Sequence, residues 1–404
     1  MGTLITVTID EILVVQDLAI VVLVALGMAA LFRWIRQPLL IGYIVAGILI
    51  GPYTPPFSLI HYPDVLSALA EMGIVFLLFA VGMEYPLVRL RAVGRKALVI
   101  ALAESLATFF AGFLVGQAFG FTVYDSLFIG LAIAVTSTVI VSSVLEDLGV
   151  LRGGDTSLIL GITVVEDIVT VTLLGILQST ASNGHLSVLT IAVSLGLVVL
   201  FIAAVLLIGP RTISPLIDRI RSSGINQVLL LALLAVAFGL ALVSSLIGIS
   251  VATGSFLAGV LVAESKSQPI AHELMAPLKD IFGAIFFVSM GALMNIGLLP
   301  AYLLPIAAFV ATAFGVKLLS TYLAARQQRI GAADARRAAL TLSASGGELS
   351  IVVAKGGSDV NATSGFVLPF IGALTVVTTV IAPFLIRLAW KGSTSTEVKV
   401  VAPP

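Results

Sequence analysis

Glu166 and Asp167 stand side by side in Ile159 to Leu174, ILGITVVEDIVTVTLL, an otherwise apolar run. An ionisable residue at mid-bilayer depth costs about 3 kcal/mol or more, so such residues mark ion and proton pathways. Two carboxylates offer the hard oxygens that suit a monovalent cation, while desolvation favours the neutral, protonated carboxyl. Proton and cation are then alternatives at one group, and that competition is sufficient for exchange. Thr163 and Thr170 fall on the same helix face as the pair, where their hydroxyls would extend a polar stripe.

Lys317, in FVATAFGVKLLSTYLA, is the base best placed to answer these acids. It lies about nine residues from Arg326, or roughly 13 Å from the expected membrane edge. Two placements fit. An ion pair with Glu166 is favoured, leaving Asp167 as the carrier; the alternative is a lysine snorkelling to the interface. Glu348 follows Gly346 and Gly347, where lining an ion path, balancing helix dipoles and pairing with Arg337 all suit it. Glu104 is nearer a basic edge and is expected to pair structurally with Arg95 or Lys96. His61, His185 and His272 fall in loops or at span ends and read as solvated, with pH sensing as the alternative.

Membrane spans must position these residues. Of 404 residues, 59% are hydrophobic and 10% charged, against about a quarter charged in soluble domains. Apolar runs of about 20 residues recur between short breaks, which is the signature of transmembrane helices. Thirteen candidate spans result, near 10–32, 38–51, 64–83, 96–119, 125–148, 155–179, 186–209, 226–246, 249–264, 274–294, 298–325, 334–355 and 363–389. The expected fold class is an all-α integral membrane protein, one transmembrane domain over 1–404.

The ends and the charge balance add limits. The first residues hold Asp10, Glu11 and Asp17 but no base, so a cleaved signal is not expected. Met1-Gly2 with Thr6 matches a myristoylation pattern of a kind common by chance. With no cysteine, disulfides and thiolate metal sites are excluded, and the zero formal net charge points away from nucleic acid. No nucleophile and base stand together, so neither an enzyme nor a cofactor is expected.

Loop charge orients the spans, because short cytoplasmic loops collect Lys and Arg. The odd-numbered loops hold Arg33 and Arg36; Arg89, Arg91, Arg95 and Lys96; Arg152; Arg211, Arg219 and Arg221; Lys266; and Arg326, Arg329, Arg336 and Arg337. The even-numbered loops hold none, apart from the one near Lys355. The N-terminus is therefore expected outside and the C-terminus, with Arg387 and Lys391, in the cytoplasm.

The chain also repeats. Gly42-Tyr-Ile-Val-Ala-Gly47-Ile-Leu-Ile returns as Gly254-Ser-Phe-Leu-Ala-Gly259-Val-Leu-Val, and FLLFAVGM (Phe76 to Met83) returns loosely as AIFFVSMG (Ala284 to Gly291). An odd number of spans separates the copies, which inverts one against the other. Two five-helix repeats, about 38–180 and 249–389, are expected, with a core of about 64–180 and 274–389 less their connections and the remaining helices for dimerisation. Each repeat carries a run of weak helix formers in its fourth helix, Ala134-Val-Thr136-Ser137-Thr138 and Ser343-Ala-Ser345-Gly346-Gly347-Glu348. Irregular backbone inside a membrane is tolerated only against protein or a water cavity, so two crossed broken helices are expected at the centre.

These motifs, with Gly42 to Pro52, Glu71 to Glu84, Val165-Glu166-Asp167 and Ser345-Gly-Gly-Glu-Leu-Ser350, closely resemble the monovalent cation:proton antiporters of the Kef and NapA type. The resemblance covers essentially the whole chain. It implies a homodimer with a dimerisation domain and a six-helix core that moves like an elevator, exchanging sodium or potassium for protons. The family's ion-binding aspartate falls on Asp167 and its core lysine on Lys317. Glu166 replaces the Asp, Asn or Gln that relatives carry there, a departure that bears on stoichiometry and ion choice. The unwound crossing maps to Thr136, Ser137 and Thr138 with Ser345, Gly346, Gly347 and Glu348. Kef-type systems usually append a nucleotide-binding domain; here about 14 residues follow the last span and no G-x-G-x-x-G appears, so that domain is not expected.

A sodium/proton antiporter in the cell membrane is the leading reading, with Asp167 holding sodium or a proton. A potassium/proton antiporter is the alternative. A passive cation channel would make flux independent of a proton gradient, and the buried Lys317 argues against it. A sodium-coupled symporter would need an organic-substrate pocket, and no motif marks one.

Overall fold

Glycine and hydroxyl residues decide where these helices touch and where they break. The structure is a computed structural model describing residues 11–35, 37–54, 59–84, 94–148, 150, 154–182, 188–247, 251–343 and 346–391. Ser345, Arg36, Arg89, Arg91, Arg152, His185 and the side chain of Glu348 lie outside the described residues. So do the first ten residues and the tail after Lys391.

The helices are α1 (Glu11–Trp34), α2 (Leu39–Ile50), α3 (Pro63–Met83), α4 (Gly94–Ala118), α5 (Val123–Ile133), α6 (Thr138–Asp147), α7 (Gly154–Ser182) and α8 (Val188–Arg221). Then come α9 (Asn226–Leu246), α10 (Val251–Ala263), α11 (Gln268–Ala292), α12 (Leu303–Gln327), α13 (Ala332–Leu342), α14 (Glu348–Asp359) and α15 (Val367–Ala389). A 3₁₀ turn, Ile296–Tyr302, precedes α12. Nine helices are long and apolar enough to cross a membrane among the described residues, and Leu39–Ile50, Val123–Ile133 and Val251–Ala263 are shorter apolar helices. Every one of the thirteen expected spans is helical. The fifth and twelfth are each broken in two, as α5/α6 and α13/α14.

The chain packs as two compact units. The first comprises residues 1–87, 178–302 and 368–372, and the second 88–177, 303–367 and 373–404. Helices α3 and α11 fall within the first unit. An apolar, glycine-bearing span shows its periodicity but not its packing partner.

In the first unit two close crossings recur with the repeat. A Cβ on Gly47 of α2 would lie 1.9 Å from the Val288 carbonyl oxygen of α11, and one on Gly291 would lie 2.1 Å from that of Ile44. On α3, a Cβ on Gly82 would meet the Phe256 carbonyl of α10 at 2.1 Å, and one on Gly259 would meet that of Phe79 at 2.0 Å. Gly47 and Gly259 are equivalent positions of the repeated motif, so the two crossings exchange partners between repeats. Only glycine lets backbones approach so closely, the usual device where lipid supplies no hydrophobic drive between helices.

In the second unit, Ile100, Val141, Leu145, Ile162, Ala335, Leu342 and Ile386 form part of a buried apolar core. Thr122 caps α5 by accepting from the Asp125 amide at 3.1 Å. The Asp125 carboxylate in turn accepts from the Ser364 amide at 2.7 Å and its hydroxyl at 2.8 Å, holding the turn before α15. These caps satisfy backbone donors that helix starts leave open.

Candidate functional site

The break between α5 and α6 and the break between α13 and α14 satisfy one another. Thr136 and Gly346 form an isolated parallel bridge, with the Gly346 amide donating to the Val135 carbonyl at 2.9 Å. The Thr136 hydroxyl donates to the Leu342 carbonyl at 3.0 Å, at the end of α13. Reciprocally, the Ser350 hydroxyl of α14 donates to the Ala132 carbonyl near the end of α5 at 2.7 Å. Backbone groups freed by each break are thus met by the other, the condition for non-helical chain within a membrane. Gly346 adopts φ +89, a region open to glycine, and a Cβ there would meet the Thr378 hydroxyl at 2.3 Å. At Gly347 the obstacle would be Ser137, with Cβ to Cβ at 2.7 Å.

Around this crossing, among the described residues, Glu104, Glu166, Asp167 and Lys317 are buried in the second unit. Glu104 of α4, Glu166 of α7 and Lys317 of α12 are each 0% exposed, and Asp167 is 3% exposed. Lys317 Nζ donates to Glu104 Oε1 at 3.2 Å, to Glu166 Oε2 at 3.2 Å and to the Thr136 hydroxyl at 2.5 Å. All three ammonium donors are therefore used, which is what lets a lysine remain buried. The expected pair with Glu166 is present, and full burial sets aside the snorkelling alternative. Glu166 Oε2 also accepts from the Thr136 amide at 3.1 Å, while Glu166 Oε1 is buried without a hydrogen-bond partner.

Asp167 faces the start of α6, where the Thr138 hydroxyl donates to its Oδ2 at 3.2 Å. Ser137 serves the same helix start, its hydroxyl accepting from the Ile140 amide at 3.4 Å. The two carboxylates expected to do chemistry are thus brought to the broken helices by different arms. Glu166 is committed to Lys317 and Thr136, and Asp167 to the mouth of α6. A carboxylate and hydroxyls are oxygen donors of the kind a small monovalent cation takes.

One expectation is corrected. Glu104 pairs with Lys317 rather than with Arg95 or Lys96, and it is steadied by Ser105 Oγ at 3.3 Å and Thr321 Oγ1 at 3.5 Å. The Thr163 hydroxyl donates to its own helix, to the Leu160 carbonyl at 3.0 Å. Thr170 is also buried. Arg337 stands 3.5 Å from Asp334 and over the Trp390 ring at 5.6 Å, while the Glu348 side chain lies outside the described residues. Among the described residues, no group of three or more His, Cys, Asp or Glu is placed to hold a metal ion.

Known proteins share this arrangement of chain. Residues 19–392 match the model of the family described as sodium/hydrogen exchanger, transmembrane. The candidate cation/proton antiporter YbaL of Escherichia coli is 30% identical over 385 residues, spanning 92% of this chain and 67% of YbaL. The K(+)/H(+) antiporter subunit KhtU of Bacillus subtilis is 28% identical over 354 residues, covering 85% of each. In fold, the sodium proton antiporter MjNhaP1 of Methanocaldococcus jannaschii superposes with a TM-score of 0.67 at 14% identity, over 95% of this chain and 98% of that one. The chain belongs to the sodium/hydrogen exchanger family and is an integral membrane cation/proton antiporter.

Proposed function

We propose that the exchanged cation is sodium and that it competes with a proton for Asp167. The observation that carries this reading is the division of labour between adjacent acids. Glu166 Oε2 is held by Lys317, whereas Asp167 meets the Thr138 hydroxyl at the α6 start. Protonated, Asp167 is neutral and needs no cation; ionised, it calls for one, and the two forms alternate as the site faces either side. Alternating access is of elevator type, with the core helices as the moving body, in a homodimer whose N-terminus lies outside and C-terminus in the cytoplasm. The loop-charge alternation supports that orientation.

Potassium is the second reading, favoured by the likeness to KhtU, which is named a K(+)/H(+) antiporter subunit. Purified protein in sealed liposomes with an internal pH-sensitive dye tests both. Sodium, lithium, potassium and choline are added in turn under an imposed pH gradient. Dissipation by sodium and lithium supports the first reading, and a response to potassium alone replaces it with the second.

A further inference from the structure

Glu104 is a buried carboxylate that exchange at Asp167 does not itself require. It lies as close to Lys317 as Glu166 does, both at 3.2 Å, and it reaches that ammonium from a different helix. One positive charge therefore serves two carboxylates. Thr321 on α12 and Ser105 on α4 hold the Glu104 oxygens, so its position is built rather than incidental. In a low-dielectric interior, each carboxylate weakens the hold of the shared ammonium on the other.

We propose that Glu104 is a positioning residue for exchange: by taking a share of Lys317 it limits the claim of Glu166 on that ammonium, and so sets the field in which Asp167 holds its cation. The inference rests on the reading of Asp167 as the carrier. The groups facing Glu104 are Lys317 and Thr321 from α12, Glu166 from α7, and Ser105 on its own helix. Replacing Glu104 by glutamine removes its claim on Lys317 and lets that ammonium draw onto Glu166, the neighbour of Asp167. A cation at Asp167 is then opposed.

Exchange by Glu104→Gln in proteoliposomes tests this through the apparent KM for the cation, read separately from Vmax. The KM should rise about fivefold, as the ammonium drawn onto Glu166 opposes a second cation beside it. Because Glu104 acts through Lys317, Glu104→Gln should add nothing to the KM of a Lys317→Met variant. Glu104→Asp keeps the charge at a longer reach and should give an intermediate KM; it carries the test alone if Glu104→Gln is not recovered folded. A wild-type KM in these variants, or an equal rise in the Lys317→Met background, overturns the proposal. Asp167→Asn run alongside separates the two ideas: full exchange there removes the carrier itself, whereas a silent Asp167→Asn with a wild-type KM in Glu104→Gln removes only the role of Glu104.

Discussion

Two kinds of helix crossing, one in each unit, use opposite chemistry. In the first unit, α2 meets α11 and α3 meets α10 through glycines whose missing side chains let backbones touch. In the second, α5/α6 meets α13/α14 through hydroxyls, carbonyls and a shared ammonium. Both crossings join one repeat to the other. The glycine contacts set backbone against backbone without an ionisable group, so they fix geometry. The polar contacts bring hydroxyls and carboxylates together, at the cost of burying charge. Function sits where the chain accepts that cost.

Lys317→Ala should do the most damage to the polar crossing. It strands Glu104 and Glu166 in the interior, a loss of about 3–5 kcal/mol. Thermal unfolding in detergent would record a large drop in midpoint. A midpoint near that of the native protein would mean that the two acids are not held as described.

The glycine crossing should break less severely. Gly47→Leu pushes a side chain against the Val288 carbonyl, and overpacking of this kind costs about 1–3 kcal/mol. The cation KM of the surviving folded fraction should stay unchanged, because no group of the site is touched. A shifted KM with native stability would erase the contrast between the crossings.

Thr136→Val should lie between the two in character. It removes the hydroxyl that accepts from Lys317 and donates to the Leu342 carbonyl, leaving buried groups unmet for about 1–3 kcal/mol. Stability and KM should both change. Thr163→Val should be nearly silent, within about 0.5 kcal/mol, because its hydroxyl only doubles a helix carbonyl. Strong loss of exchange in that variant would return Thr163 to the site.

Much of the site was legible because charge is rare in apolar runs. Glu166, Asp167 and Lys317 announce themselves by cost alone, and the Thr-Ser-Thr and Ser-Gly-Gly runs mark where helices cannot continue. Glu104 obeys the same rule, yet it was assigned to Arg95 or Lys96 because they are its near neighbours in sequence. Its partner comes from α12, and no spacing along α4 reveals that. Helical periodicity places Thr163 beside the acids, and periodicity alone does not show that its hydroxyl bonds back to its own helix. The glycine motifs of α3 and α11 are silent for a related reason, since they show that a span packs closely without naming what it packs against.

The central claim is that Asp167 carries the exchanged ion, and dye-loaded proteoliposomes bearing Asp167→Asn test it most directly. The variant should fold, with a thermal midpoint close to wild type, and add no cation-dependent proton flux to that of protein-free liposomes. Cation-dependent flux at the wild-type rate in folded Asp167→Asn would contradict the account.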